Sequence, residues 1–220
     1  MNKATTSQAE EYLEVIYRRG EVSGRASANE VAKELGVTSP AVTGMLRRLA
    51  KRGLVSYRRY RDISLTESGR LFARQLVRRH RLAERLLTDV IGLPWEKAHA
   101  EACRVEHFIG GEVETRLGEL LGGISTCPHG HPLDPAVTDE SVPLDKIEPP
   151  SAARVVKLAD ESPEVIRYLE EVGLVPGARL RMTRREPFGG PVTVETEKGE
   201  RAIGRELAQK VWVEPMEAEG

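Results

Sequence analysis

The chain has 220 residues, 40% hydrophobic and 30% charged, which leaves room for one large domain or two to three small ones; aromatics at 5% make any core aliphatic. No uncharged run reaches the roughly 18 residues of a membrane span, the N-terminal MNKATTSQAEEYLEVIYRRG shows no apolar run with a small-residue cleavage site, and two cysteines argue against a disulfide framework, so a reducing cytoplasmic setting is expected. The net charge of -1 hides an asymmetry, with 18 Lys+Arg against 10 Asp+Glu over residues 1–90 and 15 against 24 over the remainder; the basic half invites a polyanion.

Ser7 to Arg19 predicts a first helix with Tyr12, Leu13, Val15, Ile16 and Tyr17 on a wide apolar face, Ser7 and Glu10 at capping-box spacing, and a break at Gly20 to Gly24. Ser27 and Glu30 cap a short second helix that Gly36 stops. Pro40 suits the first turn of a third helix running to about Arg52, its buried side Val42, Met45, Leu46 and Leu49. Leu54 to Tyr57 and Ile63 to Leu65 read as a hairpin with the basic tip Arg58-Arg59-Tyr60-Arg61. Helix, short helix, tight turn, helix and basic hairpin in that order is a winged helix-turn-helix pattern, and double-stranded DNA is its expected partner. Arg47, Arg48, Arg58, Arg59 and Arg61 are expected to contact phosphates, which position a protein without reading sequence.

A long helix from Glu67 to Val90, a second from Trp95 to about Phe108 and a third from Glu112 to Leu121 follow, apolar enough to predict a homodimer interface. Residues 122–150, rich in Gly, Pro and Ser, read as a linker; within it Cys127-Pro128-His129-Gly130-His131 is expected to be a flexible stretch that binds metal only occasionally. The C-terminal part predicts strands at Val155–Leu158, Leu180–Met182, Val192–Val194 and Val211–Val213 and a helix at Pro163–Glu171, a small β-barrel module. The expected domains are thus 1–73, 74–121, linker 122–150 and 151–217, a mainly α chain with a small β module.

His99, Cys103, Glu106 and His107 recur at helical spacing on one face about 100° wide, and His80 with Glu84 project together at i, i+4. Imidazoles, carboxylates and a thiol form a transition-metal ligand set, unlike the all-oxygen shells of calcium or magnesium. The segment RRHRLAERLLTDVIGLPWEKAHAEACRVEH resembles the dimerisation-domain signature of the DtxR/MntR family of metal-dependent repressors. The resemblance implies a winged-helix head, metal-binding dimerisation helices and an SH3-like C-terminal β-barrel. It implies two metal sites per subunit for Mn(II) or Fe(II): an ancillary one at His80, Glu84 and His99, with Glu161 and Glu164 as further ligands, and a primary one at Cys103, Glu106 and His107. The first helix would complete the primary site with Glu11, and Glu14 lies one turn on; carboxylates there resemble the manganese branch, while Cys103 resembles the iron branch. The resemblance also maps DNA contacts to Thr38, Ser39, Pro40, Ala41 and Thr43 and implies a palindromic operator at metal-uptake genes, with no small-molecule substrate and no membrane. The rival reading, a metalloenzyme of the hydrolase type with a basic head, lacks an H-E-x-x-H or nucleophile-elbow motif, so no enzyme is expected.

Overall fold

The computed structural model describes residues 7–23, 25–57 and 62–216, which form two compact units, the described residues up to Arg79 with Glu106–Gly110, and His80–Val105 with the described residues from Gly111 on.

The first unit opens with α1 (Ser7–Ser23), which runs through Gly20 instead of breaking there. Its apolar face buries Tyr12, Leu13, Val15, Ile16 and Tyr17. The second helix, α2 (Ala28–Glu34), begins with the expected capping box: Ser27 Oγ accepts from the Glu30 amide, and Glu30 Oε2 accepts from the Ser27 amide at 2.9 Å. Then α3 (Ser39–Lys51) carries Pro40 in its first turn, where its missing N–H costs nothing, and buries Val42, Met45, Leu46 and Leu49. Strands β1 (Val55–Ser56) and β2 (Ser64–Leu65) pair antiparallel, and Ile63 bridges to Ala26, fastening the hairpin to the helical core. The hairpin tip, with Arg58, Arg59 and Arg61, lies outside the described residues. Thr66 caps α4 (Glu67–Arg85), accepting from the Gly69 amide at 3.0 Å and donating to Gly53 O at 2.6 Å. Gly69 is obligatory there, since a Cβ would stand 1.8 Å from Leu54 O.

The second unit contains the end of α4, whose helix widens into a π-helical turn at Leu86–Val90, then α5 (Trp95–Val105), α6 (Gly111–Leu120) and a six-stranded antiparallel sheet. Strands β3 (Val142–Pro143), β4 (Ser151–Leu158), β5 (Arg179–Arg185), β6 (Val192–Thr196), β7 (Gly199–Ile203) and β8 (Val211–Met216) lie in the order β3-β8-β4-β5-β6-β7. With α7 (Pro163–Glu171) and α8 (Arg205–Ala208) they close over Val155, Leu158, Leu169, Met182, Val194 and Val213. Residues 122–150 are not a free linker. Cys127, His129 and Leu133 are buried, β3 pairs with β8, and Leu144 and Asp145 are enclosed. Among the described residues no helix is long and apolar enough to cross a membrane.

The α-helix also stops earlier than its periodicity predicts. After Val105 the chain tightens into a 3-10 turn, Glu106–Phe108, that packs in the first unit. The single face expected to carry His99, Cys103, Glu106 and His107 is therefore split, the first two on α5 and the last two beyond its end.

Candidate metal centre

In the second unit a cluster converges on one carboxylate oxygen. Glu84, one turn after His80 on α4, is almost fully buried, and its Oε1 lies 3.1 Å from His80 Nε2, 3.4 Å from His99 Nδ1 and 3.2 Å from His129 Nδ1. His80 Nε2 and His99 Nδ1 are 3.0 Å apart. Glu161, on the span between β4 and α7, places Oε2 at 2.5 Å from His99 Nδ1. The nearest ligand atoms of His80, Glu84, His99 and Glu161 all fall within 4.8 Å of one another, as do those of Glu84, Cys127 and His129 and those of His80, His99 and Cys103.

The loop that brings Cys127 and His129 in is tied to the helix that carries Glu84. Arg81 Nη1 donates to Pro132 O at 2.7 Å, and Arg85 donates through Nε to Thr126 O at 2.7 Å and through Nη2 to Cys127 O at 3.1 Å. Arg81 and Arg85 thus grip the loop while His80 and Glu84 of the same helix line the cluster. Gly130, at φ +90°, makes the turn and presses on β4, where a Cβ would lie 2.0 Å from Val156 O. His129 Nε2 lies 3.2 Å from Trp95 O and its ring stacks on Trp95, which orients the imidazole so that Nδ1 faces Glu84.

The electrostatics are those of a cation site. Burial would raise the Glu84 carboxyl, but the His80 charge and hydrogen bonds from His129, His80 and His99 outweigh it and hold Glu84 well below the usual range. Burial would likewise raise Glu161, and the Glu84 charge acts the same way, yet the imidazoles of His99 and His129 draw it down. Burial pushes His99 down, but the Glu161 charge and hydrogen bonds to Cys103, Glu161 and Glu84 lift it to about 11. Burial opposes ionisation of Cys103, whereas hydrogen bonds from His80 and His99 bring its thiol to about 6. Two enclosed carboxylates with imidazoles and thiols beside them need compensating positive charge, and this donor set fits a transition-metal dication.

In the first unit His107 and Glu106 meet α1. His107 Nδ1 lies 2.8 Å from Glu10 Oε2, and its Nε2, 3.6 Å from Glu106 Oε1, is buried without a hydrogen-bond partner among the described residues. Glu14 and Glu106 are both buried. A ring whose N–H is held by a carboxylate and whose other nitrogen is buried and unengaged has the arrangement of a metal-ligating histidine.

Of the sequence-derived residues, His80, Glu84, His99 and Glu161 come together in the second unit and Glu106 with His107 in the first, and others lie elsewhere. Glu10 was missed: the residue of the first helix that reaches His107 is Glu10, while Glu11, about 100° round the helix, is exposed. Glu164 is not brought to the cluster; its side chain is 79% exposed on α7, 3.8 Å from Arg167. Cys103 sits beside His99, Sγ to Nε2 3.9 Å, and so with the ancillary residues. Cys127 and His129, expected in a mobile stretch, are buried members of the cluster. On α3 and its approach Thr38, Ser39, Pro40, Ala41, Arg47 and Arg48 are exposed and Thr43 is half-buried, a surface open to a partner.

Three family models match successive stretches of the chain: the iron dependent repressor N-terminal DNA binding domain over 4–63, the iron dependent repressor metal binding and dimerisation domain over 66–134, and the FeoA domain over 142–215. The chain is 34% identical over 223 residues to the iron-dependent repressor IdeR of Mycobacterium tuberculosis, covering 94% of this chain and 96% of that one. It is 36% identical over 168 residues to the diphtheria toxin repressor of Corynebacterium diphtheriae, covering 76% and 74%. Among solved structures, a manganese-dependent transcriptional repressor in complex with manganese superposes with a TM-score of 0.88 at 31% identity, over 94% of this chain and all of that one, and T. acidophilum IdeR with 0.82 at 26%, over 98% and 100%. With a winged-helix head, a histidine-carboxylate cluster and a FeoA (SH3-like) sheet in the matching order, the chain belongs to the DtxR/MntR family of iron- and manganese-dependent transcriptional repressors and is not an enzyme.

Proposed function

We propose that the chain acts as a homodimer that binds a palindromic operator in double-stranded DNA and represses metal-uptake genes in the cytoplasm when Mn(II), or secondarily Fe(II), is plentiful. The observation that carries this reading is the convergence of three imidazoles on the buried Glu84 in the stretch matched by the metal binding and dimerisation model. Val90, Ile91, Val113 and Leu120, exposed in the same stretch, support the dimer.

Two cation sites per subunit are proposed. His80, Glu84, His99 and Glu161 would hold one dication, with Cys127 and His129 on the other side of Glu84. Glu14, Glu106 and His107 would hold the other, with Glu11 exposed on the same helix. A dication in either shell supplies positive charge that offsets carboxylate repulsion and takes the place of protons on the imidazoles. Glu10 orients the ring of His107, keeping Nε2 turned inward. Glu14 belongs to the DNA-binding head, and Glu106 and His107 to the connection between α5 and α6. Their joint ligation would restrict the head relative to the dimerisation helices and favour the DNA-competent arrangement by the difference in ion affinity between the two states. The carboxylates around His107 are hard oxygen donors and favour manganese. Arg47 and Arg48 hold phosphates, and Thr38, Ser39, Pro40, Ala41 and Thr43 face the groove.

The test is anaerobic: metal content after dialysis against Mn(II) or Fe(II), paired with gel shifts on the chain's own upstream DNA with and without chelator. Two ions per subunit, falling to one in Glu84→Gln, and metal-dependent retardation support the reading. Equal retardation with chelator contradicts it.

A further inference from the structure

His131 is the one histidine of the second unit that the proposed ligand sets leave unused, and it lies against the segment that carries Glu161. Strand β4 ends at Leu158, and Glu161 follows on an irregular span, with neither helix nor strand to fix it before α7 begins at Pro163. His131 Nε2 lies 2.9 Å from Leu158 O, an atom that can only accept, so this nitrogen carries the proton. The same N–H lies 3.5 Å from Glu161 Oε1. The two oxygens of Glu161 are thereby divided: Oε1 faces His131 at 3.5 Å, with His129 Nδ1 farther off at 3.8 Å, and Oε2 reaches His99 at 2.5 Å. Leu158 is held from both sides by this loop, because its own amide donates to His129 O at 3.0 Å, while the Cys127 amide closes the turn onto His131 O at 2.8 Å.

We propose that His131 is a positioning residue for the second-unit metal centre: it holds the end of β4 and one oxygen of Glu161, so that the other oxygen is presented to the ion. This rests on the reading that His80, Glu84, His99 and Glu161 take a dication. Because the nitrogen facing Glu161 bears a hydrogen, His131 acts through Glu161 and not as a ligand at that atom. Partners of this kind set metal affinity by about 10- to 100-fold.

The experiment compares His131→Gln, whose amide N–H reaches about as far as Nε2, with His131→Asn, of the same chemistry and one methylene shorter. Both are made in full-length protein carrying His107→Ala, so that the second-unit ion is read alone, by calorimetric titration with Mn(II) and by the visible spectrum of Co(II). The parent should bind one ion, His131→Gln should stay within about threefold of it, and His131→Asn should bind about tenfold more weakly with an altered Co(II) spectrum. Combining His131→Asn with Glu161→Gln should add nothing to the loss from Glu161→Gln alone. Equal affinity in the Asn and Gln variants, or full additivity with Glu161→Gln, overturns the positioning role. A parent that binds no ion there overturns the underlying reading as well, and that result is distinct because it precedes any change at His131. Metal-free melting curves of the Asn and Gln variants should coincide; if Asn alone unfolds, the double-variant comparison is made with His131→Gln and His131→Leu.

Discussion

Gly130→Ala is the sharpest probe of how the Cys127–His131 turn is seated. The backbone there has φ +90°, and an added Cβ would stand 2.0 Å from Val156 O and 2.8 Å from Lys157 Cα, both backbone atoms that cannot turn aside. Left-handed backbone costs an alanine about 1–2 kcal/mol, and forcing extra volume into a packed contact costs about 1–3 kcal/mol more. The expected destabilisation is therefore about 2–5 kcal/mol. Gly177 is the internal control: it lies in the same unit with φ +88° and nothing within 4 Å of its would-be Cβ, so Gly177→Ala should lose only the conformational part, about 1–2 kcal/mol. Urea unfolding of both variants with metal removed measures the difference directly. Gly130→Ala should also weaken the second-unit ion, since Cys127 and His129 ride on the displaced turn. Equal losses in the two variants would refute the close seating of this loop on β4.

Removing metal from loaded protein should lower its melting temperature, since an ion held at 100 times its Kd contributes about 2.7 kcal/mol; a melting curve unmoved by chelator contradicts the burial of a cation among Glu84 and its imidazoles. His99, lifted to about 11 by Glu161, Cys103 and Glu84 against the effect of burial, is protonated in metal-free protein near neutrality, so ligation must expel that proton. Apparent affinity should thus rise with pH between about 6 and 8. Titration in buffers of different ionisation enthalpy should detect the released proton, and pH-independent affinity with no release would count against His99 as a ligand. Arg48→Ala, on the exposed side of α3, should weaken binding to all DNA sequences alike and reduce the salt slope by about one; loss confined to one operator variant would mean that Arg48 reads a base.

The head was legible because each boundary carries a local signal: the Ser27–Glu30 box, Pro40 in the first turn and Thr66 at the start of α4. The i, i+4 pair His80 and Glu84 was legible for the same reason, being set by one helix. What sequence periodicity could not show depends on contacts made at a distance. The arginine grip on Thr126, Cys127 and Pro132 turns a Gly- and Pro-rich stretch into a buried wall of the cluster; Gly130 between two histidines, with Cys127 two residues before the first, was the available clue. The tightening at Glu106 is likewise invisible to a 3.6-residue repeat, and it is why His99 and His107 do not share a face. Glu10 was passed over because adjacent carboxylates on α1 differ only in direction, and a partner 97 residues away chooses between them. Strand β7, with four of its five residues exposed, lacks the apolar alternation that marks a strand.

The most direct measurement is the affinity of full-length protein for a fluorescent operator duplex, followed anaerobically by anisotropy as Mn(II) is added, for the parent and for Glu106→Gln. Saturating Mn(II) should tighten parent binding by about two orders of magnitude, a coupling of about 2.7 kcal/mol, and Glu106→Gln should retain its fold and basal DNA affinity but lose most of that gain. Parent affinity that stays constant from chelator to saturating metal would contradict this coupling.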